Sequence, residues 1–131
     1  MRRIRVLIVD DHLTVREALA DLLDLLGFEV VGAAGDGVDG VAMAKDLEPD
    51  LVLMDLSMPV LNGLDATRLL REDMPGTPVV MFSAFDGDEL KRHALAAGAV
   101  AYLAKDCTTE RLRATLHGAV ALAAGRLGRH W

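Results

Sequence analysis

The chain has 131 residues, a formal net charge of −6 and 52% hydrophobic side chains. That fits one globular domain with a real core and excludes a disordered or low-complexity chain. The acidic balance argues against a grip on nucleic acid by this chain itself, and no stretch approaches the roughly 20 apolar residues that cross a bilayer.

The basic start at Met1–Ile4 is followed by an apolar run that ends at Asp10, too short for a secretory leader. A single cysteine, Cys107, rules out an internal disulfide and suits a reducing, cytoplasmic setting. Ile4–Val9 is apolar except for Arg5 and predicts a buried strand ending in Asp10-Asp11. Val15, Ala18, Leu19, Leu22 and Leu26 follow at helical spacing, with Thr14 and Glu17 as a capping box and Gly27 at the end. Glu29–Ala34 predicts a weaker strand. Asp36 then suits the N-cap of a second helix carrying Val38, Val41, Ala42 and Leu47, which Gly40 weakens. Leu51–Met54 is wholly apolar and runs into Asp55, as a strand buried on both faces would.

The second half repeats the pattern. Asn62-Gly63 is a turn signal before a helix over Leu64–Met74, which Pro75-Gly76 ends. Pro78–Phe82 predicts a strand ending at Ser83, and Asp86–Ala97 a helix stopped by Gly98. Ala99–Leu103 predicts a last strand leading to Lys105. Thr108 suits the N-cap of a final helix with Leu112, Leu116, Ala119, Val120 and Ala123, ending near Gly125. Strand and helix alternate throughout, so the expected class is α/β: a doubly wound five-stranded parallel sheet with helices on both faces. Periodicity alone leaves the strand order open between the common doubly wound arrangements.

Polar residues stand at the carboxyl ends of four apolar strands: Asp10 and Asp11, Asp55, Ser83, and Lys105. Open α/β sheets bind ligands at that edge. If the first and third strands are neighbours, three carboxylates converge, an arrangement that a hard cation such as magnesium makes tolerable. Such a cation takes oxygen, so His12 is read as a loop residue. A carboxylate beside magnesium, an ammonium and a hydroxyl can accept a phosphoryl group. Lysine occurs elsewhere only at Lys45 and Lys91, which singles out Lys105 mildly. A solvated turn would explain the Asp-Asp pair alone and an exposed residue the lysine alone, but the joint placement of Asp10, Asp11, Asp55, Ser83 and Lys105 on strand ends outweighs those readings. Tyr102 is read from the residues as a core aromatic and Cys107 as a loop or packing residue. No phosphate-binding glycine loop occurs.

Val-Asp-Asp at 9–11, Met-Asp-Leu-Ser-Met-Pro at 54–59, Asn-Gly at 62–63, Ser-Ala at 83–84 and Ala-Tyr-Leu-Ala-Lys at 101–105 appear in order. Together they resemble the receiver domain of bacterial two-component response regulators. The wording Asp-Asp-His at 10–12 and Ala-Tyr-Leu-Ala-Lys-Asp at 101–106 is most similar to the NarL/FixJ type, which carries a LuxR-type helix-turn-helix output domain. The resemblance implies the flavodoxin-like order 2-1-3-4-5 over residues 1–125, with 126–131 a tail or the start of a linker. It implies Asp55 as phosphoacceptor, Asp11 as a direct Mg2+ ligand, Asp10 as a direct or water-mediated one, and the Ser57 backbone carbonyl as a further one. Lys105 and Ser83 would contact the phosphoryl group, and Ser83 and Tyr102 would form the switch.

The implied function is a signalling switch rather than an enzyme. A sensor histidine kinase would phosphorylate it, and it would alter a protein contact, with homodimerisation one form. Transcription would be regulated through a DNA-binding domain outside this chain; a stand-alone receiver and a Mg2+-dependent phosphohydrolase are the alternatives. Many relatives carry proline after the lysine, where this chain has Asp106. Phe85, two residues beyond Ser83, and Ser57, two beyond Asp55, would flank the route of an attacking water, and the apolar Phe85 would slow loss of the phosphoryl group.

Overall fold

Successive strand side chains point to opposite faces of a sheet, and the apolar runs of this chain sort accordingly. Val6, Ile8, Leu51, Leu53, Val80, Phe82 and Leu103 face one layer, whereas Leu7, Val9, Val52, Met54, Val79, Met81 and Tyr102 face the other. The computed structural model describes residues 2–58 and 60–126. Its strands are β1 (Arg5–Val9), β2 (Glu29–Ala34), β3 (Leu51–Asp55), β4 (Val79–Ser83) and β5 (Ala101–Ala104). They pair in parallel in the order β2-β1-β3-β4-β5, as the resemblance implied.

Five helices cover the sheet: α1 (Leu13–Leu25), α2 (Gly37–Leu47), α3 (Gly63–Asp73), α4 (Asp88–Ala97) and α5 (Thr109–Arg126). Leu19 and Leu23 of α1 and Leu112, Leu116 and Ala119 of α5 complete one core layer. Val41 and Ala44 of α2, Ala66 and Leu70 of α3, and Ala94 of α4 complete the other. The central strands β3 and β4 are buried at every position, while the edge strand β2 is buried only at Ala34, which explains its weaker sequence pattern.

Cap chemistry sets most helix starts. Asp36 Oδ1 accepts the Asp39 N–H at 2.8 Å, Asn62 Oδ1 the Asp65 N–H at 3.0 Å, and Thr108 Oγ1 the Arg111 N–H at 3.1 Å. The expected capping box at Thr14 and Glu17 does not form. His12 is the N-cap of α1 and gives no side-chain cap, so Thr14 falls inside the first turn, where its backbone cannot take the extended conformation of a cap. The helix expected from Asp86 begins at Asp88 after Gly87. α5 passes through Gly125 to Arg126; the expected boundary after 125 lies within it, and residues 127–131 of the expected tail are outside the described residues. Gly40 does not weaken α2 but lets it lie on β1, since an added Cβ would stand 2.8 Å from Val9 Cγ1.

Thr67 of α3 is wholly buried, and its Oγ1 has no hydrogen-bond partner among the described residues. Thr67→Val keeps the shape and removes the unsatisfied hydroxyl. It is expected to raise stability by about 1 kcal/mol, read as a higher urea midpoint at unchanged slope; an unchanged or lower midpoint would show that the hydroxyl is satisfied in solution.

Candidate functional site: an acid pocket at the carboxyl edge of the sheet

The register of β1, β3, β4 and β5 gathers the strand-end residues. Val9 pairs with Met54, which sets Asp10 beside Asp55, and Asp55 pairs with Phe82. Ser83 pairs with Ala104, the residue before Lys105. Asp10 and Asp55 are 2% and 5% exposed, too buried for two carboxylates without compensation. Lys105 supplies it: its Nζ donates to Asp10 Oδ2 at 2.7 Å and lies 3.4 Å from Asp55 Oδ1.

The balance still leaves Asp55 uneasy. Burial first, and the negative charge of Asp10 second, push its carboxyl up to about 6, against the pull of Lys105. For Lys105 burial works to lower the ammonium, but the hydrogen bond to Asp10 and the charges of Asp55 and Asp10 outweigh it and hold the pKa above its ordinary value. Asp10 is further fixed by the His12 backbone N–H, which donates to Oδ1 at 2.9 Å, and by Arg16 Nη1, which donates to its carbonyl at 2.7 Å.

Asp11 is half-buried, and its Oδ1 is screened from solvent with no hydrogen-bond partner among the described residues. One donor atom each from Asp10, Asp11, His12 and Asp55 lies within 4.8 Å of the others. A buried carboxylate oxygen without a donor, in a net-negative cluster of hard oxygens, is the donor set of a divalent cation site. Ser57 stands on the exposed loop after β3. That loop is braced against α3 by the Gly63 N–H, which donates to the Leu56 carbonyl at 2.9 Å.

Ser83 is buried, and its Oγ accepts the Phe85 N–H at 3.1 Å. Tyr102, 9% exposed, donates its hydroxyl to the Phe85 carbonyl at 2.6 Å. The two residues expected to form a switch thus hold the same backbone residue from neighbouring strands. The Lys105 N–H closes the arrangement by donating to the Ser83 carbonyl at 2.7 Å. Cys107 lies just beyond, and burial pushes its thiol up, away from reactivity.

The structure therefore brings Asp10, Asp11, Asp55 and Lys105 into one pocket, sets Ser83 on the adjacent strand end, and ties Tyr102 to that strand through Phe85. His12 lies in the loop after β1 as expected, with its ring beside the acid pair. Reasoning from the sequence misses Arg16, because a side chain reaching back from α1 to a backbone carbonyl leaves no periodic mark. It singles out Phe85 for its side chain, whereas Ser83 and Tyr102 are met by the Phe85 backbone, which sequence does not encode.

Residues 6–117 match the response regulator receiver domain family. The nitrate/nitrite response regulator NarL of Escherichia coli is 39% identical over 117 residues, 88% of this chain and 54% of that protein. The chain spans about half the length of the relatives it matches. A two-component response regulator of the LuxR family from Aurantimonas has the same fold with a TM-score of 0.87 and 30% identity, over 92% of this chain and 86% of that one. A chain of the CheX–CheY–BeF3–Mg2+ complex from Borrelia burgdorferi superposes with a TM-score of 0.83 and 26% identity, covering 88% of this chain and 87% of that one.

Proposed function

The chain belongs to the response regulator receiver domain family, and we propose that it works as a phosphorylation-driven switch with Asp55 as the phosphoacceptor. The observation that carries this reading is the Asp55 carboxylate, buried at a strand end, 3.4 Å from Lys105 Nζ and with a donor atom within 4.8 Å of one from Asp10 and one from Asp11. Burial holds the carboxylate still, and Lys105 and the oxygen-rich rim meet the charge of an incoming phosphoryl group.

An Asp55 oxygen attacks phosphorus in line as the phosphorus–nitrogen bond of a kinase phosphohistidine breaks, and the departing imidazole takes the electron pair and a proton. Lys105 neutralises one equatorial oxygen. Ser83 Oγ gives up the Phe85 N–H to donate to another, and Tyr102, which shares Phe85 with it, shifts in response. Asp11, Asp10, Asp55 and the Ser57 carbonyl are the residues that would hold Mg2+. Bound there, Mg2+ supplies charge neutralisation of the phosphoryl oxygens.

The partner on this reading is a sensor histidine kinase in the cytoplasm, and the product is an altered protein contact, homodimerisation included. The likeness to NarL/LuxR-type regulators supports transcription as the output, through a DNA-binding domain of the whole regulator. No helix of the described residues is long and apolar enough to cross a membrane. A phosphohydrolase would want a second acid two residues past the nucleophile, and Ser57 stands there.

Incubation with acetyl phosphate and Mg2+ is expected to add one phosphoryl group by intact mass, and Asp55→Asn to remove it. Persistent labelling of Asp55→Asn at the wild-type level would overturn the assignment.

A further inference from the structure

The His12 side chain stands at the mouth of the acid pocket without a part in the switch just described. It is the extended residue before α1, with φ −95° and ψ 109°. Because its backbone N–H is held by Asp10 Oδ1, the ring comes to rest beside the acid pair. Nδ1 lies 3.0 Å from Asp11 Oδ1 and 3.4 Å from Asp10 Oδ1. One donor atom each from Asp10, Asp11, His12 and Asp55 lies within 4.8 Å of the others, so the ring nitrogen and the carboxylates converge on one point. An octahedral cation with bonds of about 2.1 Å sets neighbouring donors about 3.0 Å apart.

We propose that His12 Nδ1 is a donor of the cation pocket, adding one imidazole to the carboxylates of Asp10, Asp11 and Asp55. Mg2+ gains little from nitrogen, whereas Mn2+ gains more from imidazole and Ni2+ and Zn2+ more still. His12 is therefore a specificity-determining residue: it tilts a pocket of hard oxygens toward first-row transition ions. The ring remains 67% exposed, so the added donor does not need to be dug out of the core, and its loss leaves the fold intact. This inference rests on the cation site of the proposed function, and its test separates the two.

Titration calorimetry of the full chain with MgCl2 and with NiCl2 compares wild type, His12→Ala, Asp11→Asn and the double variant. His12→Ala is expected to weaken Ni2+ about tenfold or more while Mg2+ changes less than about twofold. That Ni2+ loss should largely vanish in the Asp11→Asn background, because both residues hold one ion. Equal weakening of both metals would mean that His12 only positions the acid pair, and would overturn the inference. An undiminished Ni2+ effect in the Asp11→Asn background would place the Ni2+ on another part of the surface and overturn it as well. Mg2+ binding with no His12 effect on Ni2+ removes this inference alone; binding of neither metal to wild type removes it together with the cation site of the proposed function.

Discussion

At pH 8 in the absence of divalent cations, Asp55→Asn is expected to be more stable than the wild-type protein, by up to about 3 kcal/mol. The cause is the raised carboxyl of Asp55, about 6 in the folded protein against 3.8 ordinarily. A group whose folded pKa is raised binds its proton more tightly in the native state. Its contribution to stability is present in full below about pH 4 and is lost as pH rises through 6. Asparagine keeps the shape without the charge, so the gap between variant and wild type should open over that window and close below it.

Mg2+ should narrow the gap from the other side. At a hundredfold excess over its dissociation constant, a ligand specific for the native state adds about 2.7 kcal/mol, and Asp55→Asn removes one of the carboxylates proposed to hold the ion. Urea denaturation of both proteins at pH 5, 6.5 and 8, each with EDTA or MgCl2, tests both halves. Equal stability of the two proteins at pH 8 in EDTA would show that Asp55 is not strained by its setting.

Gly63→Ala is expected to damage both fold and function, although it adds one methyl group. Gly63 opens α3 directly beneath the end of β3, and an added Cβ would collide with the Asp55 carbonyl and stand 2.9 Å from Leu56 Cα. The obstacle is backbone on both sides, so a strand end or a helix start must move. Overpacking of that kind costs on the order of 3 kcal/mol. A displacement of about 1 Å at Asp55, the proposed nucleophile, would cost roughly a hundredfold in rate. Gly118→Ala supplies the control: nothing lies within 4 Å of a Cβ built there, and alanine in an exposed helix interior is favoured by about 0.5–1 kcal/mol. Thermal unfolding and the acetyl phosphate labelling rate should fall sharply for the first variant and stay level or rise for the second. A Gly63→Ala protein that labels at the wild-type rate would show that the β3–α3 junction gives way without disturbing Asp55.

The strands were legible because their signal is redundant. Leu51–Met54 and Val79–Phe82 are apolar at every position, since both faces of a parallel sheet are covered, and a charge at the end of such a run has few places to go. Asp10, Asp55 and Lys105 could therefore be placed at one edge before any coordinates. Helix starts were less legible. Thr14 and Glu17 have the spacing of a capping box, but the loop after β1 is only Asp10–His12, so α1 begins before Thr14 can act. Gly40 and Gly125 looked like interruptions because sequence weighs a glycine's flexibility and not what packs on it. Within the site, the carboxylates and lysine announced themselves by type, whereas the contribution of Phe85 is a backbone one and that of Arg16 depends on how α1 lies.

The sheet also divides the molecule into two compartments that need not move together. Tyr102 belongs to the layer of α2, α3 and α4, while its neighbour Leu103 belongs to that of α1 and α5. A shift of Tyr102 on phosphorylation would loosen only the first compartment, leaving the second as a fixed mount. On the proposed switch the change would therefore reach the flank of α2, α3 and α4, while the packing of α1 and α5 is kept.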